Sequence, residues 1–203
     1  MANSIYSNCA SQRQRSAAGA AALLTRDKRG ATAIEFAMIA PVLFMLTLGT
    51  IELGICFAAD ILLRNATYTA ARVGRTGYVA ENTTRDDMVR NLIANQSSVL
   101  MDASKLNISS KVYGGFGQIH QPEPFNDVNN NGRRDNGESY TDVNGNGQYD
   151  TDRGANGLGG SSQIVIYTVT YPWTFFTPLI GKLFSSSGTI DLSATAVIQN
   201  EPY

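Results

Sequence analysis

The sequence predicts an α+β protein in which a long N-terminal membrane-spanning helix packs on a small antiparallel β-sheet. Three observations predict it. An apolar run from Ala31 to Ala59 is interrupted only by Glu35 and Glu52. Past Asp102 the apolar spacing changes from helical to alternating, the mark of half-buried strands. Between these strands, residues 125–152 repeat a pattern of Asp, Asn and Gly that cannot build a core of its own and so reads as an insertion.

The first thirty residues carry Arg13, Arg15, Arg26, Lys28 and Arg29 against the single acid Asp27. Acids gather instead between Asp127 and Asp152. That asymmetry places the N-terminus on the cytoplasmic side of a membrane and the remainder on the far side. The formal net charge of -1 gives no support to nucleic-acid binding. The two cysteines, Cys9 and Cys56, fall in the leader and the apolar run, so a disulfide between them is not expected.

From Ala31 to Glu52 a helix rises about 31 Å, close to the ~30 Å of a bilayer's hydrocarbon core. Glu35 and Glu52 then lie near opposite faces, where an ionised carboxylate costs less than at the centre. Pro41 removes one backbone bond inside the run and can loosen the helix there. Thr50, Gly54 and Ala58 recur every four residues as a narrow ridge of small side chains.

The segment Arg29-Gly30-Ala31-Thr32-Ala33-Ile34-Glu35-Phe36-Ala37, with Pro41 soon after, resembles the start of TadE-like proteins, pseudopilins of the tight-adherence (Flp) pilus system. The ending Thr195-Ala196-Val197-Ile198-Gln199-Asn200-Glu201-Pro202-Tyr203 resembles that family as well. The resemblance implies a class III signal cut by a prepilin peptidase between Gly30 and Ala31. It implies a pilin-like fold and a role for Glu35, the fifth residue after the cut, in bringing subunits into register. Partners implied are the prepilin peptidase, other pilins or pseudopilins, and inner-membrane assembly proteins. The expected organisation is a basic cytoplasmic leader over 1–30, a transmembrane helix over 31–59 and a periplasmic α+β domain over 60–203, anchored singly in the inner membrane. Spacing adds a physical reason. Glu35 lies one turn, about 6 Å, from the new amine, where its charge favours the helix N-terminus.

The helix is expected to continue past Asp60, with Leu63, Ala66, Ala70 and Val73 on one face, and to end at Gly74 and Gly77. A second helix starts at Thr84, with Asp87 three residues on, and carries Met88, Val89, Leu92, Ile93, Val99 and Leu100. Arg72, Arg75 and Arg85 are expected on a solvated face. Strands are expected over 106–113, over Gln163 to Tyr171 closed by Pro172, and over Thr189 to Gln199. Trp173 to Phe184 is apolar and aromatic, a short helix or a docking segment.

The insertion, bounded at 125–153, repeats with a fifteen-residue step: Phe125 to Gly132 is echoed by Tyr140 to Gly147. Counting from Asp127, the side chains of Asp127, Asn129, Asn131, Asp135 and Glu138 occupy positions 1, 3, 5, 9 and 12, with Gly132 at 6 and the carbonyl of Arg133 at 7. Hard oxygen donors at that spacing suit calcium. The second copy offers Asp142, Asn144, Asn146, Gln148 through its carbonyl, and Asp150. Its twelfth position is Arg153, which cannot ligate, and Asp152 comes one residue early. That copy therefore binds more weakly or borrows an acid from the first. Pro122 and Pro124 before the repeat, and the glycine-rich run after it, argue against the flanking helices of an EF-hand. The bland alternative is a flexible polar insertion whose Asn-Gly pairs only make turns.

No catalytic constellation is present: one histidine, His120, no nucleophile elbow, no P-loop and no CxxC. The leading expectation is an assembly protein, not an enzyme. The alternative is an uncleaved, membrane-tethered calcium-binding adhesin or sensor.

Overall fold

The computed structural model describes residues 29–202. Residues 1–28 of the leader, and Tyr203 of the chain ending, lie outside the described residues. The chain forms two compact units, one ending at Ile51 and one beginning at Glu52.

Helix α1 runs from Arg29 to Arg75, with Pro41 inside it. It is the one helix among the described residues long and apolar enough to cross a membrane. In the first unit its large apolar side chains, among them Ile34, Phe36, Met38, Leu43 and Phe44, are all exposed. A soluble protein does not leave such a surface uncovered, and lipid covers it without cost.

In the second unit the same helix becomes amphipathic. Glu52, Cys56, Ala59, Leu63, Ala66, Ala70 and Ala71 are buried. From Glu52 to Ala70 their spacing of four and three residues makes one continuous stripe, which Ala71 widens. Four of the seven are alanines, which lets the helix backbone approach the sheet closely. At Gly74 the approach is tighter still: a Cβ there would meet the Tyr167 hydroxyl at 2.6 Å. Helix α1 ends at Arg75, and Gly77 follows with φ +67°.

Helix α2 spans Arg85–Ser97. Thr84 caps it, accepting from the Asp87 N–H at 3.1 Å. Val89 and Ile93 are its buried apolar residues. Val99 and Leu100 do not join that face. The chain turns at Ser97, whose carbonyl accepts from the N–H groups of both Leu100 and Met101, and Met101 is buried in their place. Arg85 is not solvated either; its guanidinium donates to the carbonyls of Leu158 and Gly159.

The sheet is antiparallel throughout, with strands β1 (Asn107–Tyr113), β2 (Ala155–Asn156), β3 (Ile164–Thr174) and β4 (Thr189–Gln199) in the order β2-β1-β3-β4. Val165, Tyr167, Val169, Tyr171 and Trp173 of β3, with Leu192, Ala194 and Ala196 of β4, share one core with the α1 stripe. The opposite face carries a smaller cluster of Tyr113, Ile164 and Ile166. Strand β3 runs through Pro172 instead of stopping there. β1 begins at Asn107, opposite Thr170, and does not extend to Pro172, so only β4 pairs with the chain there and no ladder on the β1 side loses a donor. A short helix, α3 (Pro178–Phe184), joins β3 to β4.

Candidate functional site

Two places gather the residues singled out by sequence. The first is the start of α1. Gly30 lies in its first turn, exposed, and a Cβ added there would meet nothing within 4 Å. Its backbone is helical, so the fold asks for no glycine at this position. Glycine costs a helix about 1 kcal/mol relative to alanine. Glu35 is exposed one turn further along. Glu52, the other acid of the apolar run, is only 6 % exposed. Its Oε1 accepts from the Thr177 N–H at 2.5 Å, and its Oε2 is buried without a hydrogen-bond partner.

The second place is the insertion, which is ordered as two loops with corresponding hydrogen bonds. In the first, Asp127 accepts from the N–H groups of Asn131 (3.1 Å) and Gly132 (2.8 Å). The Asn129 and Asn131 side-chain oxygens accept from the N–H groups of Asn131 and Arg133. Their amide nitrogens both donate to Asp135 Oδ2 at 2.7 Å. Glu138 closes the loop, accepting from Val128 N–H at 2.9 Å and from Asp135 N–H at 2.8 Å.

The second loop repeats the Asp127, Asn129, Asn131 and Asp135 bonds fifteen residues on. Asp142 accepts from the N–H groups of Gly145, Asn146 and Gly147. The Asn144 and Asn146 side-chain oxygens accept from Asn146 and Gln148, and their amides donate to Asp150 Oδ2. Those backbone donors, Gly147 first, hold the Asp142 carboxyl below the usual carboxylate range, outweighing partial burial. Gly132 and Gly147, at the same loop position, have φ +75° and +78°, a region glycine enters freely.

The residue that closes the second loop is Glu123. It accepts from Val143 N–H at 2.7 Å and from Asp150 N–H at 3.1 Å, the two positions Glu138 serves in the first loop. Glu123 is fully buried and Glu138 is 8 % exposed. Sequence reading missed Glu123 because it looked forward from Asp142 for a twelfth position. A signal was present: one repeat step before Glu138 stands another glutamate.

The two loops form one body. Phe125 and Tyr140, equivalent in the repeat, make an antiparallel bridge, flanked by Asn126 N–H to Ser139 carbonyl (2.9 Å) and Thr141 N–H to Pro124 carbonyl (2.8 Å). The Arg134 guanidinium lies 4.8 Å from the Tyr140 ring centre and 5.1 Å from that of Tyr149, within cation–π range. Among the described residues no α-helix flanks either loop.

Asp152 is placed differently from the other predicted donors. Its carboxylate accepts from the Lys111 ammonium at 2.7 Å and the Tyr113 hydroxyl at 2.8 Å, joining the insertion to β1. Burial alone would raise its pKa, but Lys111, Tyr113 and the Gly154 N–H together hold it down at about 2. Burial first, then the hydrogen bond to Asp152 and its charge, push the Tyr113 hydroxyl up to about 12. The His120 Nδ1 lies 3.5 Å from Asp152, at the rim of this cluster.

Chemically, each loop concentrates carboxylate, carboxamide and carbonyl oxygens, the donor chemistry of a hard cation. Among the described residues no three or more His, Cys, Asp or Glu side chains are grouped so as to hold a metal ion. The loop carboxylates are engaged by backbone N–H groups and asparagine amides.

No curated protein and no solved structure matches the chain. The family model described as TadE-like protein matches residues 30–72, so the segment that holds Gly30, Glu35 and most of α1 is TadE-like, the family of the tight-adherence pilus system.

Proposed function

We propose that this protein is a pseudopilin that acts in assembly of a tight-adherence pilus. The leader stays cytoplasmic, α1 crosses the inner membrane, and the domain beyond it is periplasmic. A prepilin peptidase cuts between Gly30 and Ala31. Glu35 then pairs with an amine at the new N-terminus, its own or a neighbouring subunit's, in a medium where charge pairs are strong.

The observation that carries this reading is the TadE-like match over a helix whose Gly30 has no structural reason to be glycine. A residue the fold does not require, at a small helical cost, fits a demand made by another protein, here a protease cleft. The test is the N-terminal sequence of the protein recovered from membranes. Ala31 as the first residue agrees with the proposal, and an intact leader contradicts it and favours the tethered adhesin or sensor.

A second reading concerns the insertion and rests on the equivalence of Glu123 and Glu138. The second loop has a closing carboxylate after all, supplied by the chain before the first loop. We propose calcium as the ion both loops take: Asp127, Asn129, Asn131, Asp135 and Glu138 with the Arg133 carbonyl in one, and Asp142, Asn144, Asn146, Asp150 and Glu123 with the Gln148 carbonyl in the other. Weak affinity, about 10⁻⁴ to 10⁻³ M, is normal for extracellular modules of this chemistry.

A further inference from the structure

The short helix α3 carries an apolar face that the protein does not cover. Phe176 is 71 % exposed, Leu179 59 %, Leu183 67 % and Phe184 52 %. Leu179 and Leu183 are one turn apart, and Phe176 precedes the Thr177 cap. The other side of the helix is already committed. Ile180 and Gly181 are buried, and Gly181 lies so close to Gly188 that a Cβ would meet its carbonyl oxygen at 3.0 Å. Phe184 stacks on Phe175 with ring centres 5.1 Å apart, and Phe176 meets Trp173 edge-on at 6.3 Å. The exposed face is thus presented by a fixed element.

The anchor of that element is Glu52, through its bond from Thr177 N–H. Glu52 interrupts the apolar run at about 31 Å from Ala31 along the helix, the depth at which the hydrocarbon core ends. The next charged residues of the stem, the ion pair Asp60–Arg64, begin about 12 Å further on, eight residues at 1.5 Å each. A headgroup layer fits that interval, and α3 is fastened at its start. The charged residue on α3 itself is Lys182, which is exposed and suits an anionic headgroup.

We infer that Phe176, Leu179, Leu183 and Phe184 of α3 rest in the headgroup–acyl boundary of the bilayer that α1 crosses. The contact makes α3 an interfacial foot of the domain. The inference rests on α1 spanning the membrane. Lipid is favoured over a second copy or another protein because the patch is fastened at the residue where the membrane run ends.

The test uses the full chain reconstituted in phosphatidylcholine–phosphatidylglycerol bilayers, with Cys9→Ser and Cys56→Ser and one spin-labelled cysteine. Leu43→Cys reports on the stem, Leu183→Cys on α3 and Val143→Cys on the insertion. Collision with oxygen, which concentrates in lipid, is compared with collision with a water-soluble nickel chelate. The expected oxygen-to-nickel ratio at Leu183→Cys exceeds that at Val143→Cys at least fivefold and approaches that at Leu43→Cys. A lipid signal at Leu43→Cys with a water signal at Leu183→Cys overturns the inference and leaves the membrane-spanning stem standing. A position 183 shielded from both reagents also overturns it, since protein covers the face. A water signal at Leu43→Cys overturns both. Should the cysteine replacements disturb folding, Leu183→Trp in the otherwise native chain gives the same answer. Lipids brominated near the top of the acyl chain quench its added fluorescence if the face is in the boundary and leave it unquenched if it is not.

Discussion

Glu123 and Glu138 stand one repeat apart in sequence and perform the same act on different loops, each accepting from the N–H of the second and the ninth loop residue. The first loop is closed from behind and the second from ahead. The first loop is therefore contiguous in sequence, whereas the second is complete only in space.

Glu123→Gln tests this closure without calcium. An amide turns one donor toward the buried N–H of Val143 or Asp150, and leaving such a group unpaired costs about 1–3 kcal/mol. The expected result is a loss of that size in urea-unfolding stability, against a smaller loss for Asp127→Asn in the exposed part of the first loop. Equal losses would remove the special role of Glu123.

Calcium dependence follows from the same geometry. An ion at about a hundred times its dissociation constant adds about 2.7 kcal/mol to stability. Thermal melts of the full chain in detergent should shift upward with calcium. Asp127→Ala with Glu138→Ala should abolish the part of the shift due to the first loop, and Glu123→Gln the part due to the second. A calcium response unchanged in both variants sinks the metal assignment.

Acid should loosen the insertion. Asp152 has a folded pKa of about 2, below its ordinary value of 3.8. Its contribution is full above the ordinary value and is lost as pH falls through the folded value. Stability should thus decline between about pH 4 and pH 2, and Asp152→Asn should flatten that part of the profile. A profile identical to that of the unaltered protein counts against the Lys111–Asp152–Tyr113 cluster.

Gly30→Ala separates folding from processing. With open space around the position, alanine should leave the melting temperature of the exported domain unchanged, while the precursor should accumulate uncut on immunoblots. Normal processing of this variant contradicts the cleavage proposal. Glu35→Ala should still be cut yet fail to support piliation, and wild-type piliation contradicts its role.

Gly74→Ala acts on the domain instead. Its Cβ would arrive 2.6 Å from the Tyr167 hydroxyl and 3.2 Å from Val89. Overpacking of this kind costs about 1–3 kcal/mol. Adding Tyr167→Phe should restore part of the loss, read by denaturant midpoint.

The elements with clean periodicity were legible. Strand β4 occupies Thr189–Gln199 as its alternation predicts, and the Thr84 cap starts α2 where the Thr–Asp spacing puts it. What sequence could not supply was context. Pro172 reads as a stop because a single strand does not show that its neighbour has already ended. Val99 and Leu100 read as helix because apolar spacing cannot register the turn at Ser97. Asp152 reads as a ligand by position, and its bonds to Lys111 and Tyr113, about forty residues away in sequence, leave no mark in the motif. Glu123 was missed for the converse reason: a motif read in one direction cannot find a donor that arrives from the other.

One bond at the base of the insertion has a wider meaning. The Arg153 N–H donates to the Gln121 carbonyl at 2.9 Å, so the chain departs from and returns to the domain at one point. A segment attached in this way is a graft, held to the sheet it hangs from by that bond and by the contacts of Asp152 with Lys111 and Tyr113.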